Sequence, residues 1–296
     1  MGPALINNPP ETTYQTMPDY PKVYAIVLNY NGRELTLDCL DSLYSMDYPA
    51  FSVMVVDNGS SDGTAQAVRA AFPQAEVVEN SENLMFAGGN NVGIRRALQG
   101  GADYVLLLNN DTVVDMRLAA ELIAAMKAHP EAGLACPMIY YYPPKDDGRE
   151  LIWYAGGVVD FWRGLIAHRG IRQVDDGRYT RPECTGYVTG CGLMASRACL
   201  ERVGLLDTAY NMYVEDVDLS QRAIIAGYSL LFVPGARMWH KVSATAGGEF
   251  SWFKIKNKIR SSLLFFRRYA RPWHWLTIPL FVLARGIMFF LFRKKN

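Results

Sequence analysis

After Glu249 the chain has no acidic residue, and that absence divides it in two. Lys254, Lys256, Lys258, Arg260, Arg267, Arg268, Arg271, Arg285, Arg293, Lys294 and Lys295 stand there unopposed. The first 249 residues therefore hold 19 of the 30 basic side chains against all 29 acidic ones, a net of −10 inside an overall +1. An acidic body with a basic, aromatic tail excludes a nucleic-acid reader, whose basic face belongs to the folded module. It fits a soluble domain resting on an anionic membrane surface. Cysteine is scarce as well. The five (Cys39, Cys136, Cys184, Cys191, Cys199) form no CxxC pair and have no histidine at zinc spacing, which argues for reduced thiols in a cytoplasmic setting. The first twenty residues carry Pro3, Pro9, Pro10 and Pro18 and no apolar run, so residues 1–21 read as a flexible lead-in and not as a signal peptide. No internal repeat is visible.

An uninterrupted hydrophobic span is missing too. Residues 273–292 are long enough to cross a bilayer, but Pro279 and Arg285 break the stretch. An arginine near the centre of a lone span costs roughly 2.5 kcal/mol or more. A helix or broken helix lying in the interface, with Trp273 and Trp275 at headgroup level, is expected in preference to a span.

What the chain does have is a proper core: half of its 296 residues are hydrophobic. Strands are expected at Val23–Leu28, Ser52–Val56, Glu76–Glu79 and 103–108. Helices are expected at 33–46, 64–72 and 90–99. That alternation predicts an α/β fold with a mostly parallel, doubly wound sheet. Residues 134–200, richer in aromatics and glycine, read as a less regular region with antiparallel strands, forming the second wall of a cleft.

Two acidic sites carry chemistry. One follows the apolar run Leu106-Leu107-Leu108, as Asn109-Asn110-Asp111, where open α/β sheets bind ligands at the carboxyl ends of their strands. Mg2+ or Mn2+ needs few protein oxygens when a diphosphate and water complete the octahedron, so Asp111 plus a distant ligand can suffice. Asp111 or Thr112 as a helix cap is the alternative. His240 is a candidate for the distant ligand, or a core histidine. The other site holds Glu215, Asp216 and Asp218 at a helix start. There they favour the macrodipole, and they also crowd one another, which raises a carboxyl towards general-base range. Arg222 stands at pairing distance from Asp218 on the helix face. Asp57 closes a strand and either accepts the N3–H of a uracil or thymine ring or makes a turn. The segment Asn83–Gly93 lacks the G-x-G-x-x-G spacing, since Asn90 stands where the second glycine belongs. A glycine-rich turn opening a helix still lets backbone approach a ligand.

The segments Val27-Leu28-Asn29-Tyr30-Asn31-Gly32, Val55-Val56-Asp57-Asn58-Gly59-Ser60-Ser61-Asp62-Gly63-Thr64, Leu108-Asn109-Asn110-Asp111 and Tyr213-Val214-Glu215-Asp216-Val217-Asp218-Leu219 occur in that order. Over roughly residues 22–270 they resemble the family 2 inverting glycosyltransferases, in particular the rhamnosyltransferase-like branch of bacterial surface-polysaccharide synthesis. The resemblance implies a GT-A fold with a Rossmann-like sheet, a smaller mixed acceptor-side region and a C-terminal membrane-associating helical tail. The parts it implies are a lead-in (1–21), a catalytic domain (22–250) and a basic, aromatic tail (251–296). It makes Asp216 the base, with Glu215 and Asp218 as supporting acids, and Asp111 and His240 the metal ligands for Mg2+ or Mn2+. It places nucleotide and donor binding at Asn29, Asn31, Asp57, Asn58, Asn83, Gly89, Asn91, Asn109, Asn110 and Arg260. Thr189-Gly190-Cys191-Gly192 matches the small-residue turn on the acceptor side, before the family's acceptor helix.

The expected reaction moves a sugar, L-rhamnose from dTDP-rhamnose first and a UDP-hexose second, to a polyprenyl-diphosphate-linked glycan at the cytoplasmic face of a bacterial inner membrane. Two departures stand out: relatives usually have glycine where Met85 stands, and Lys258-Ile259-Arg260-Ser261 replaces a more usual Arg-Asn pair. The rival readings are a non-catalytic sugar-nucleotide-binding protein and a nucleotidyltransferase. The first would lack the base or the metal ligand. The second usually carries a glycine-rich loop with several Arg or Lys residues after the first strand, where this chain has only Arg33.

Overall fold

The computed structural model describes residues 20–145, 147–242 and 252–284, with side chains of the last stretch from 255 onward. Nearly all of the lead-in, and the tail beyond 284 with Arg285, lie outside the described residues. The elements run β1 (Val23–Asn29), α1 (Arg33–Tyr44), β2 (Phe51–Asp57), α2 (Thr64–Ala71), β3 (Glu76–Glu79), α3 (Met85–Gln99), β4 (Tyr104–Asn109), β5 (Thr112–Val114) and α4 (Leu118–Ala128). There follow β6 (Ala132–Tyr141), β7 (Ile152–Tyr154), β8 (Gly157–Asp160), β9 (Leu165–His168), β10 (Glu183–Cys184), β11 (Gly192–Ser196) and α5 (Arg197–Val203). Last come α6 (Glu215–Ile225), β12 (Ser229–His240), α7 (Trp252–Tyr269) and a 3-10 turn at Pro272–Leu276.

β3, β2, β1 and β4 lie side by side and parallel, the expected doubly wound half. β11 then runs antiparallel to β4 and to β6, and β12 runs parallel to β6. The central strands are near-continuous apolar runs because both of their faces are covered. α3 packs over the face carrying Ile26 and Leu28, while α1 sits on the other, where Thr36 Oγ1 donates to Asn29 Oδ1 at 2.9 Å. Residues 134–200 form the antiparallel region as expected, but β6 and β11 belong to the main sheet and only β8–β9 stands apart.

α3 starts at Met85, so the glycines read as a loop are helical. A Cβ on Gly89 would lie 2.5 Å from Leu28 Cδ1, and one on Gly93 2.6 Å from Ile26 Cγ2. These glycines let the helix press onto the sheet. Met85 has φ 59, a left-handed conformation that glycine adopts freely, which accounts for the glycine at this place in relatives.

α7 packs on the body through Phe265 and Phe266, both buried, and Phe161 stacks on Phe265 at 5.9 Å. Ile278 is buried against Gly164. Arg268 turns inward to Asp207 and Asp218, which corrects the expectation that it faces a membrane with the other cations. Among the described residues no helix is long and apolar enough to cross a membrane.

Candidate active site

The carboxyl ends of β1, β2 and β4 meet in a polar knot. Asn29, almost fully buried, donates to Asp57 Oδ1 (3.3 Å) and Ser60 Oγ (3.0 Å). Its Oδ1 accepts from Gly32 N (3.1 Å), Thr36 Oγ1 (2.9 Å) and Asn110 Nδ2 (2.9 Å). Ser60 donates both its N–H and its hydroxyl to Asp57 Oδ1, so this carboxylate is aimed by its own turn. A Cβ on Gly32 would lie 2.4 Å from Asn110 Nδ2, so glycine is what lets strand ends β1 and β4 close.

β4 ends at Asn109 and the chain re-enters the sheet as β5, where Thr112 pairs with His240 of β12. That turn puts Asp111 Oδ1 3.1 Å from His240 Nε2, with both side chains buried. Among the described residues Asp111 Oδ1 and His240 Nδ1 have no hydrogen-bond partner, so the 3.1 Å approach is not aligned as a hydrogen bond. Two ligand atoms at right angles around an octahedral Mg2+ or Mn2+ lie about 3 Å apart, so the pair fits a divalent cation. Burial by itself would lower the His240 pKa, yet neighbouring Cys191 and Asp111 raise it to about 10. No third His, Cys, Asp or Glu joins the pair among the described residues, so a cation there would need further ligands from outside this set.

Asp216 and Glu215 open α6. Asp216 Oδ2 accepts Gly190 N–H (2.8 Å) and Oδ1 accepts Val217 N–H (2.8 Å). Burial raises its pKa, opposed by those two hydrogen bonds, and the residue is only half-buried. Glu215 is deeper. Burial and then the Asp216 charge push it up to about 8, and its Oε2 has no hydrogen-bond partner among the described residues. Asp218 does not share this crowding. It is fully buried, accepting Tyr210 Oη (3.0 Å), Tyr269 Oη (2.8 Å) and Arg222 Nε (2.8 Å), and so is a structural anchor and not a supporting acid of the site.

Cys191 lies beside His240, and its neighbour Gly190 holds Asp216. A continuous line of contacts therefore runs from Asp57 through Asn29, Asn110, Asp111, His240, Cys191 and Gly190 to Asp216. The turn Thr189–Gly192 leads into β11, not directly into a helix. Several expected donor residues are spent on structure. Asn58 is saturated by Asn83 Oδ1, Met85 O, Asn80 Nδ2 and Leu84 N, and Asn91 clips both backbone groups of Leu206. Gly89 lies within α3, packed against Leu28 of β1. Asn31 and Asn83 are exposed at the rim, and Asn109 is half-buried at the end of β4. Arg260 is not brought to the site: it is exposed and lines an outer groove of α7 with Lys256, Ile259 and Leu263. Lys258, also exposed, is an α7 cation whose charge reaches His168. Trp153, unmarked by any spacing, sits edge-on between His168 (4.4 Å) and His240 (4.6 Å).

Residues 24–202 match the model of the family described as Glycosyl transferase family 2. Over 215 residues the chain is 30% identical to the N-acetylglucosaminyl-diphospho-decaprenol L-rhamnosyltransferase of Mycobacterium tuberculosis, covering 67% of this chain and 69% of that protein. It is 26% identical over 228 residues to the poly-beta-1,6-N-acetyl-D-glucosamine synthase of Staphylococcus epidermidis, covering 74% of this chain but only 50% of the synthase. Among solved structures it resembles the mannosyltransferase PcManGT from Pyrobaculum calidifontis in complex with GDP-Man and Mn2+, with TM-score 0.57, 20% identity and coverage of 90% and 76%. GalNAc-T7 with UDP, GalNAc and Mn2+ gives TM-score 0.60 at 18% identity, covering 76% of this chain and 44% of that one. At such identities the likeness shows the fold, which is GT-A. The family match runs through β1, Asp57, Asp111 and the turn at Gly190, segments that also meet in space, and the chain is a glycosyltransferase that belongs to glycosyl transferase family 2.

Proposed function

We propose that the chain transfers L-rhamnose from dTDP-rhamnose to a hydroxyl of a polyprenyl-diphosphate-linked glycan, by single displacement with inversion. The observation that carries the reaction type is the contact line from Asp57 to Asp216. It joins a carboxylate suited to a nucleobase, a pair suited to a cation and a carboxylate suited to act as a base. Donor and acceptor are supported by the name of the Mycobacterium relative, and a UDP-hexose is the second reading, supported by the hexosamine polymer named for the Staphylococcus relative.

In this reading Asp57, whose Oδ1 is fixed by Ser60 and Asn29, meets the N3–H of the pyrimidine with its other oxygen, Oδ2. Asp111 and His240 would hold Mg2+ or Mn2+, and the chemistry a cation supplies there is neutralisation of charge on the departing diphosphate. Asp216 takes the proton of the acceptor hydroxyl as its oxygen attacks the anomeric carbon from the face opposite the nucleotide. Its raised pKa brings it closer to the pH at which a base works best.

The attachment surface belongs to the same proposal. On the outer side of α7, Ile259 and Leu263 are 55% and 54% exposed between Lys256, Arg260 and Arg267, and Trp273, Trp275, Leu276, Leu280 and Leu283 are exposed beyond it. Soluble surfaces seldom present so much apolar area beside unopposed cations, and an anionic bilayer at the cytoplasmic face complements both.

A donor screen that reads released nucleoside diphosphate, with and without Mg2+ or Mn2+, tests the reaction. Metal-dependent release from dTDP-rhamnose in the presence of acceptor is the expected result. Pyrophosphate release would mark a nucleotidyltransferase, and binding without turnover a non-catalytic protein. Sedimentation of the full chain with anionic but not neutral vesicles tests the surface, and no binding to either would overturn it.

A further inference from the structure

The segment that presents Asp216 is held in an unfavourable shape. Tyr213 and Val214, just ahead of α6, have φ 68 and 74. For a β-branched valine a left-handed backbone is a genuine outlier. Such residues cost on the order of 1–3 kcal/mol each and persist only where their surroundings over-determine them. Here part of those surroundings is α7, beside Tyr210 and Arg222, which also hold Asp218. Ser261, buried, donates its hydroxyl to Met212 O at 2.9 Å, just before the strained pair. Tyr269 donates to Asp218 Oδ1 at 2.8 Å, in the first turn of α6 just after it. Arg268 adds a contact at 3.3 Å to the same oxygen. Asp218 N–H closes back on Val214 O at 2.8 Å, so the carboxylate that Tyr269 grips belongs to the turn whose start is strained.

We infer that α7 is a brace for the catalytic carboxylate, and that Ser261 and Tyr269 are positioning residues which hold the two ends of the Met212–Asp218 segment so that Asp216 stays on Gly190 N–H. The inference rests on the reading of Asp216 as the base. Released at either end, Tyr213 and Val214 relax towards ordinary backbone angles and α6 turns about its first residues. Asp216 then loses the Gly190 hydrogen bond. The donor side is untouched, because Asp57, Asp111 and His240 are carried by β2, the β4–β5 turn and β12, none of which uses these bonds.

The test uses the full chain with donor and acceptor, comparing Tyr269→Phe, Ser261→Ala, the double variant and Ser261→Thr. Tyr269→Phe keeps the ring that packs 5.0 Å from Phe265 and removes only the hydroxyl. Each single variant should lower kcat about tenfold and the double about 10²-fold, the scale of a misplaced reacting group, with nucleoside-diphosphate affinity unchanged. Ser261→Thr, which keeps the hydroxyl, should restore most of the rate. Because the Gly190 hydrogen bond lowers the Asp216 pKa, its loss should also move the acid limb of the kcat–pH profile to higher pH. A double variant with normal kcat, or one slowed with the acid limb unmoved, overturns the brace. Asp216→Asn run alongside separates the two readings. If that variant is inactive while the double variant is normal, the brace alone fails; if it transfers normally, the assignment of the base fails and the brace with it.

Discussion

Glu215 offers a perturbation that can be followed to a number. Burial and the Asp216 charge lift its pKa from 4.5 to about 8, so the folded protein keeps a proton there that the unfolded chain releases. Between those two values folding takes up a proton. The Glu215 contribution to stability is therefore fully present below the unfolded pKa and is lost as pH rises through the folded one. One proton changes stability by at most about 1.4 kcal/mol per pH unit. Glu215→Gln keeps the shape of the side chain and removes its titration. Whatever fixed cost the buried amide adds does not depend on pH and cancels in the trend. The stability of Glu215→Gln relative to the parent should thus rise by roughly 3 kcal/mol from about pH 5 to about pH 8. Urea unfolding of both proteins at several pH values across that range measures it. A difference that stays constant with pH would refute the argument, because it would mean that Glu215 titrates alike in the folded and unfolded chains.

Three further outcomes are expected. Asp216→Asn should bind nucleoside diphosphate normally by calorimetry but transfer about 10²–10⁴-fold more slowly, and near-normal transfer would point to Glu215 instead. Asp111→Ala and His240→Ala should each weaken Mn2+-dependent nucleoside-diphosphate binding in the same titration, Asp111→Ala more because it removes charge; unchanged affinity in His240→Ala would return that residue to the core. Gly32→Ala, whose Cβ would lie 2.4 Å from Asn110 Nδ2 and 3.1 Å from Asn29 Oδ1, should cost about 1–3 kcal/mol in urea unfolding and weaken the same binding.

The doubly wound half is legible in the sequence because parallel strands covered on both faces leave long apolar runs. β1 at Val23–Asn29 and β4 at Tyr104–Asn109 fall where those runs stand. The family resemblance is legible for a related reason: Asp57, Asp111 and Asp216 lie at strand and helix ends whose turns leave local signatures. What a linear reading misses is which polar side chains are already satisfied. Asn58, Asn91 and Asp218 look like ligands in a motif, and only the fold reveals that Asn80, Leu206 and Tyr269 consume their hydrogen bonds. The start of α3 is missed because glycine signals turns by its freedom and helix–sheet contacts by its size, and sequence does not separate the two. Arg260 is misplaced because adjacent helical residues face different ways, and the α7 cation that turns inward is Arg268.

β12 carries one further consequence. Its ladder with β6 pairs Val233 with Pro137, and then Arg237 with Met138, so Pro234, Gly235 and Ala236 have no partners across the strand. Had β12 run straight on, His240 would lie three residues, roughly 10 Å, past Tyr141, its present partner at the end of β6. The looped residues take up slack in the chain, and the separation of His240 from Asp111 is thereby set by a length and not only by a side chain. A relative with a straight β12 would need a chain shorter by that much to bring a histidine to the same place, which makes the spacing ahead of Trp239-His240 as informative as the histidine itself.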